Sequence, residues 1–232
     1  QSRAAYLRAR SVFFRHSGDW NPTTDVTVGS KAERPKNETP TLSQLEVRRL
    51  FVAAETVDGQ RIGQFPSAVL ACGLGLYMGL RMGEIFALRW SDIDSASRTV
   101  RVRWQVPKDR TELRPTKGKL SRTALILPAW WTLHRTDAVG FVCGRKGEPV
   151  GTRTQRNLIT RVLDTAGLNE LGRGFHILRH TYAQVFMESG GTLEELSKSL
   201  GHASIATTQG VYEHMRPDVA ALRAASRIYG TE

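Results

Sequence analysis

HILRHTYAQVFMESGGTLEELSKSLGHASIATTQGVYEH, residues 176–214, reads as three helices in succession. The first runs from His176 to Glu188 and is ended by Gly190 and Gly191. Thr192 and Glu195 then stand at capping-box spacing, where a hydroxyl and a carboxylate three residues apart satisfy each other's backbone N–H groups. The helix they open stops at Gly201, a residue free to take the left-handed conformation. His202 is therefore placed at a helix terminus, and a third, short helix carries Tyr212. Within the first helix His176 and Arg179 lie three apart on one face and can converge on one ligand. A guanidinium there can grip a phosphate with a two-pronged fork. A zinc reading of His176 and His180 fails on detail, because no Glu follows His176 as in HExxH and an arginine sits between the histidines.

Upstream, Ser43 and Glu46 form a second capping pair with Leu42 and Val47 placed as a hydrophobic staple, so a helix starts here and runs toward Glu55. Pro66, at a first helical position, opens an apolar helix through Met78 that Gly79 stops. The run Ala68 to Leu80 falls short of the roughly 20 residues a membrane span needs and reads as a buried core helix. Arg81 follows directly, between Leu80 and Met82, an odd place for a charge without an anionic partner. Glu84 is the plain candidate, and an Arg81–Glu84 salt bridge by itself needs no function. The stretch GEIFALRW then forms a short helix with Ile85, Phe86 and Leu88 inward.

Thr99 to Trp104 alternates Val100 and Val102 with Arg101 and Arg103, and Thr123 to Leu127 is a second β-rich run. Together they make a hairpin around a basic loop that holds Lys108, Arg110, Arg114, Lys117 and Lys119. A helix spans Gln155 to Ala166. The expected fold class is α+β, mostly α-helical, with a small antiparallel sheet.

Lys and Arg number 33 against 22 Asp and Glu, a net charge of +11 that points to a polyanionic partner. Two cysteines, Cys72 and Cys143, lack metal-type spacing, which argues against a disulfide scaffold and suits a reducing compartment. No P-loop is present, so no nucleotide cofactor is expected. Residues 1–20 place Tyr6, Leu7, Val12, Phe13 and Phe14 on a helical repeat with nothing nearby to cover it, as in the last helix of a truncated N-terminal domain. Residues 21–40, broken by Pro22, Gly29, Pro35 and Pro40, read as a basic linker, and the compact domain runs over 41–232. Its tail from about Pro217 repeats apolar Val219, Leu222, Ala225 and Ile228 at helical spacing.

Taken singly, Tyr212 is a core aromatic and HILRH a structural helix segment. The ordered set GLRMGEIFALRWSDID (79–94), a lysine hairpin, HILRHT (176–181), LGHASIATT (200–208) and VYEH (211–214) is far more specific. It strongly resembles the catalytic domain of the tyrosine recombinases, the phage integrase family, over about residues 41–220. The resemblance implies the tyrosine recombinase catalytic-domain fold, with residues 1–20 ending a core-binding domain. It makes Arg81 the first catalytic arginine, His176 and Arg179 the HxxR pair, His202 the second histidine and Tyr212 the nucleophile. Glu84 falls at the acidic position that braces the first arginine. The hairpin lysine is Lys117 or Lys119; Lys117 follows the Pro-Thr turn and is preferred, although one residue of register changes the face.

On that resemblance, Arg81 and Arg179 clamp a DNA phosphate, His202 donates to its oxygens, and His176 accepts the tyrosine proton or orients the site. Lys117 then protonates the departing 5′ oxygen, and no metal or other cofactor is required. Lys119, Arg103, Arg153, Arg156 and Arg161 are candidate DNA-face residues. The implied partners are double-stranded DNA at specific recombination sites, three further protomers in a homotetramer that passes through a Holliday junction, and accessory DNA-bending or directionality factors, with no membrane. The implied setting is the cytoplasm of a bacterium or phage-infected cell, at the nucleoid. Phage or mobile-element integration and excision is the leading role. A Xer-like chromosome-dimer resolvase, a type IB topoisomerase and a DNA-binding module without catalysis are the alternatives.

Overall fold

The computed structural model describes residues 40–60, 67–94, 96–97, 99–108, 112–116, 122–125, 139–144, 148–169, 174–202 and 204–212. The expected helix over 1–20, nearly all of the linker, the tail from 217, and Lys117, Lys119 and Arg110 lie outside these residues.

Helix α1 spans Gln44–Gln60, one turn beyond the expected end. The Ser43–Glu46 capping box closes as read, with Ser43 N–H donating to Glu46 Oε2 at 2.8 Å and Glu46 N–H to Ser43 Oγ at 3.3 Å. Leu50, Ala53, Ala54 and Val57 form the buried stripe that a helical period of 3.6 dictates. Helix α2 begins at Ala68 rather than at Pro66, and its cap is Ser67. The reason is Asp58 of α1, whose carboxylate accepts from Ser67 Oγ (2.8 Å), Ala68 N–H (2.7 Å) and Val69 N–H (3.2 Å). A carboxylate at this end satisfies orphan N–H groups and complements the helix dipole.

Helix α2 runs to Met78, packs against both α1 and α5 (His176–Glu188), and buries residues around its whole circumference, as its unbroken apolar sequence requires. Gly79 ends it at φ 61°. The next segment departs from expectation: α3, Met82–Ile85, is a single turn. Ile85, Phe86 and Leu88 do face inward. The helix stops because residues 140–142 take over its backbone groups, with Val142 N–H donating to Leu88 O at 2.8 Å and Trp90 N–H to Gly140 O at 3.0 Å.

After a 3-10 turn at Trp90–Asp92, strands β1 (Ile93–Asp94) and β2 (Thr99–Val102) form an antiparallel sheet with β5 (Arg122–Leu125), in the order β1-β2-β5. The expected hairpin pairing holds, with Val100 opposite Ala124 and Val102 opposite Arg122. The first strand breaks at Arg103, however, and β3 (Trp104–Gln105) pairs instead with β4 (Arg114–Pro115) in a separate ribbon. Helix α4 covers Thr152–Thr165, three residues earlier than expected. Helices α5, α6 (Leu193–Leu200) and α7 (Ile205–Tyr212) follow as read, and Thr192 and Glu195 form their capping box. No helix among the described residues is long and apolar enough to cross a membrane.

Most buried side chains belong to one core between α1, α2, α4, the sheet and the start of α5. A second, smaller cluster joins Tyr182, Ala183 and Met187 of α5 to Leu193, Leu196 and Leu200 of α6 and to Tyr212 of α7. Gly79 touches this second cluster: a Cβ there would lie 2.6 Å from Tyr182 Cδ1 and 2.9 Å from Leu200 Cδ2. Left-handed strain and overpacking therefore coincide. Gly79→Ala is expected to lower stability by about 2–4 kcal/mol, read as a lower urea midpoint at unchanged slope.

Candidate active site

Glu84 is the most enclosed charge of the site, 2% exposed. It sits on α3 because the turn after Gly79 folds its carboxylate back over the helix start. Arg81 backbone N–H donates to Oε2 at 2.8 Å and Arg81 Nη1 donates to Oε1 at 3.0 Å. From β5, Arg122 adds a bidentate pair, Nη1 to Oε1 at 2.8 Å and Nη2 to Oε2 at 2.6 Å. Burial alone pushes the Glu84 carboxyl up; the hydrogen bonds and charge of Arg122, then Arg81, overcome it and bring the pKa down to about 2. Arg122 also donates from Nε to Ser199 O at 2.9 Å, so one side chain ties β5 to α3 and to the end of α6.

Arg179 lies on α5 with 5% exposure. Its Nη1 donates to Gly79 O at 2.6 Å and its Nη2 to Leu200 O at 2.9 Å, which fixes the guanidinium between the ends of α2 and α6. Nη2 also meets His202 Nε2 at 2.9 Å. A guanidinium can only donate, so Nε2 is the acceptor. The other ring nitrogen therefore carries the proton, and Nδ1–H donates to the buried Thr208 Oγ1 at 2.7 Å. Burial first, then the charges of Arg179, Arg81 and Arg122, hold His202 neutral with a pKa lowered to about 4. Burial and the charges of Arg81 and Arg122 also weaken the hold of Arg179 on its proton, against the pull of Glu84. An arginine nevertheless stays charged.

Tyr212 ends α7 with 2% exposure, and its hydroxyl lies 3.0 Å from His180 Nδ1. The partner is the second histidine of HILRH, one turn beyond His176; His176 itself opens α5 and is exposed. Tyr212 lies close enough to Arg179 for a phenolate charge to raise that arginine's pKa. The structure thus gathers Arg81, Glu84, Arg179, His202 and Tyr212 where α2, α5, α6 and α7 meet. Three guanidiniums around one carboxylate leave the cluster net positive, an arrangement that a phosphate would complete.

The lysine hairpin is approached only from its ends. Thr116 is buried and donates its backbone N–H to Arg103 O at 3.0 Å, so the chain is pinned just before Lys117. Arg103 is bound to Asp92 and Arg161 to Gln60 Oε1, whereas Arg153 and Arg156 stand exposed on α4. Sequence reading missed three residues: Arg122, His180 as the tyrosine's partner, and Thr208. Arg122 had a signal, since strand alternation puts it on the same face as the buried Ala124. The other two contacts, His180–Tyr212 between α5 and α7 and His202–Thr208 between the turn after α6 and α7, had none.

The sequence model of the phage integrase family matches residues 40–218, more than half the chain. A tyrosine recombinase XerC-like protein of Caldanaerobacter subterraneus subsp. tengcongensis is 26% identical over 232 residues, covering 85% of this chain and 56% of the relative. Tyrosine recombinase XerC of Corynebacterium efficiens is 30% identical over 224 residues, covering 93% and 68%. The solved Tn1549 transposon integrase, in complex with transposon right end DNA, superposes with a TM-score of 0.60 at 16% identity, over 92% of this chain and 71% of that one. The chain therefore belongs to the tyrosine recombinase, or phage integrase, family and has its catalytic-domain fold. It spans little more than half the length of the first of these relatives.

Removing Arg122 takes the bidentate partner from a buried carboxylate and leaves it the two Arg81 donors. Arg122→Gln is expected to cost about 3–5 kcal/mol in denaturant unfolding, and Glu84→Gln/Arg122→Gln less than the two single changes combined. His202 gives a pH signature. Its folded pKa, about 4, lies below its ordinary 6.5, so the unfolded chain binds the extra proton between them. Stability should therefore fall as pH drops from 6.5 through about 4, and His202→Gln should remove that part of the slope.

Proposed function

We propose that this chain is the catalytic part of a site-specific DNA recombinase that cleaves and rejoins strands through a 3′-phosphotyrosyl link at Tyr212, in phage or mobile-element integration and excision. The observation that carries the reading is the net positive, three-arginine cluster built beside a tyrosine hydroxyl. Attack by a phenol on a phosphodiester builds charge on the nonbridging oxygens, and fixed guanidiniums stabilise it with no reorganisation. Arg81 would bind first: its side chain is 29% exposed, and only its backbone N–H and one Nη1 bond go to Glu84 among the described residues. Arg179 would offer the N–H groups that Gly79, Leu200 and His202 do not take.

His202 as it stands cannot donate to a phosphate, because its Nε2 lone pair faces Arg179. Its role as a donor requires a proton on Nε2, which an arriving phosphate dianion-like transition state favours electrostatically. Lys117 is the proposed acid for the departing 5′ oxygen, with Lys119 the neighbouring candidate. The phosphotyrosyl link keeps the phosphodiester energy, so a 5′ hydroxyl from another strand reverses the step without a nucleotide cofactor. Exchange between duplexes would then use a homotetramer on DNA, helped by accessory factors. Arg153 and Arg156 on α4 are proposed to follow the backbone, where such contacts position the protein without reading sequence.

The names of the curated relatives favour a second reading, a Xer-like chromosome-dimer resolvase. Covalent trapping tests both. Full-length protein incubated with nicked duplexes and denatured in detergent should carry DNA only when Tyr212 is present; adducts of equal yield from Tyr212→Phe would overturn the assignment. DNA recovered from trapped complexes in cells separates a mobile-element junction from a chromosomal resolution site. Lys117→Ala should slow cleavage by about 10²–10⁴-fold and be rescued by a 5′-bridging sulfur, a leaving group that needs no proton; absence of rescue would move the acid elsewhere.

A further inference from the structure

We propose that Arg122 is a positioning residue for strand cleavage, whose one guanidinium sets Arg81 and His202 in register with each other; this rests on the reading of those two as phosphate ligands. Arg122 opens β5, and its side chain is only 9% exposed, so it acts from behind the site rather than on DNA. Nη1 and Nη2 hold the two Glu84 oxygens at 2.8 and 2.6 Å. The same oxygens accept from Arg81 Nη1 and from the Arg81 backbone N–H. A carboxylate has about four lone-pair sites, and four donors fill them, so Glu84 has one orientation in which to brace Arg81. The Arg81 side chain is still 29% exposed, within reach of a phosphate.

The other edge of the same fork reaches the opposite side of the site. Ser199 and Leu200 end α6, where carbonyls have no partner within the helix. Arg122 Nε takes Ser199 O at 2.9 Å and Arg179 Nη2 takes Leu200 O at 2.9 Å. Gly201 then turns the chain at φ 66° directly against Arg122, where a Cβ would lie 2.6 Å from Cδ. His202 follows, with Nε2 2.9 Å from Arg179. Arg81 and His202 come from distant parts of the chain, and Arg122 is the side chain bonded to the brace of the first and to the helix end that carries the second. A planar guanidinium with donors at fixed angles can do this, whereas a lysine ammonium is a single point charge. Displacing a reacting group by about 1 Å can cost about 10²-fold in rate, so a buried residue with this reach sets cleavage as well as stability.

Arg122→Lys keeps the charge and loses the fork. Single-turnover cleavage of a nicked duplex by the full-length variant, read as protein-linked DNA, is expected to slow by about 10²-fold with DNA affinity unchanged. A methylphosphonate at the scissile position carries no nonbridging charge and asks less of Arg81 and His202, so it should narrow that deficit by at least about tenfold. The same folded molecules cut both substrates, so a purely structural defect scales the two rates equally; an unchanged ratio would overturn the proposal. A 5′-bridging sulfur should not narrow the deficit, and rescue by sulfur alone would place Arg122 on the side of the leaving-group acid and overturn it too. Glu84→Gln/Arg122→Gln, which leaves no carboxylate to strand, guards against loss of folding in the single variant. It should melt as a folded protein yet cleave slowly and respond to methylphosphonate, whereas cleavage at the unmodified rate would show that Arg122 only stabilises. Tyr212→Phe run in parallel separates the two levels, since adducts formed without the phenol would remove the recombinase reading itself and the proposal with it.

Discussion

One buried carboxylate organises this site. Glu84 has been taken out of water at a cost of several kcal/mol, and only a full set of hydrogen-bonded cations offsets that. Arg81 and Arg122 supply four donors to its two oxygens. Because those donors come from the turn after α2 and from β5, satisfying Glu84 forces helix and sheet into one relative position. Arg122 then reaches Ser199 O and packs on Gly201, where a Cβ would come within 2.6 Å of its Cδ, so the end of α6 is drawn to the same point. His202, one residue on, is placed by the chain that Arg122 holds.

The second consequence is electrostatic. Arg179, Arg81 and Arg122 are gathered with a single anion between them, so the field around His202 is positive and keeps its ring neutral. A neutral ring accepts from Arg179 and donates to Thr208, and this locks both side chains in a resting arrangement. A phosphate bound there would weaken that positive field and so make a proton on the ring less costly. A proton on Nε2 would in turn end its acceptance from Arg179 Nη2. Tyr212 is stored under a comparable restraint, buried in a satellite cluster and bound to His180.

Local signals in this chain are strong. Capping boxes at Ser43 and Thr192, left-handed glycines at 79 and 201, and apolar periodicity place α1, α2, α5, α6 and α7 to within about a turn. Errors arose where a distant segment intervened. Asp58 moved the start of α2, residues 140–142 cut α3 to one turn, and the β3–β4 ribbon broke the first strand at Arg103. Each intrusion is a hydrogen bond from outside the element itself: Asp58 lies ten residues before Ala68, Arg114 nine after Gln105 and Gly140 fifty after Trp90, so helical or strand periodicity within the element does not register it.

The same division runs through the site. Taken singly, Arg81, Glu84, Arg179, His202 and Tyr212 read as structural residues; their ordered motifs marked them as a set only through the resemblance to the tyrosine recombinases, while the helix stop before Arg81, the HxxR face and the left-handed glycine before His202 are each set by neighbours within a few residues. Which histidine meets the tyrosine, which tautomer His202 adopts and which cation completes Glu84 were decided by tertiary structure. His176 and His180 share one face of α5 and look equivalent in sequence; only the packing of α7 against that face brings the Tyr212 hydroxyl to the second of them. Arg122 is 38 residues from Glu84, and its role exists only once β5 is folded against α3 and α6. Local conformational preference acts over one or two turns, whereas the burial of a charge is settled by whatever the whole chain brings to it.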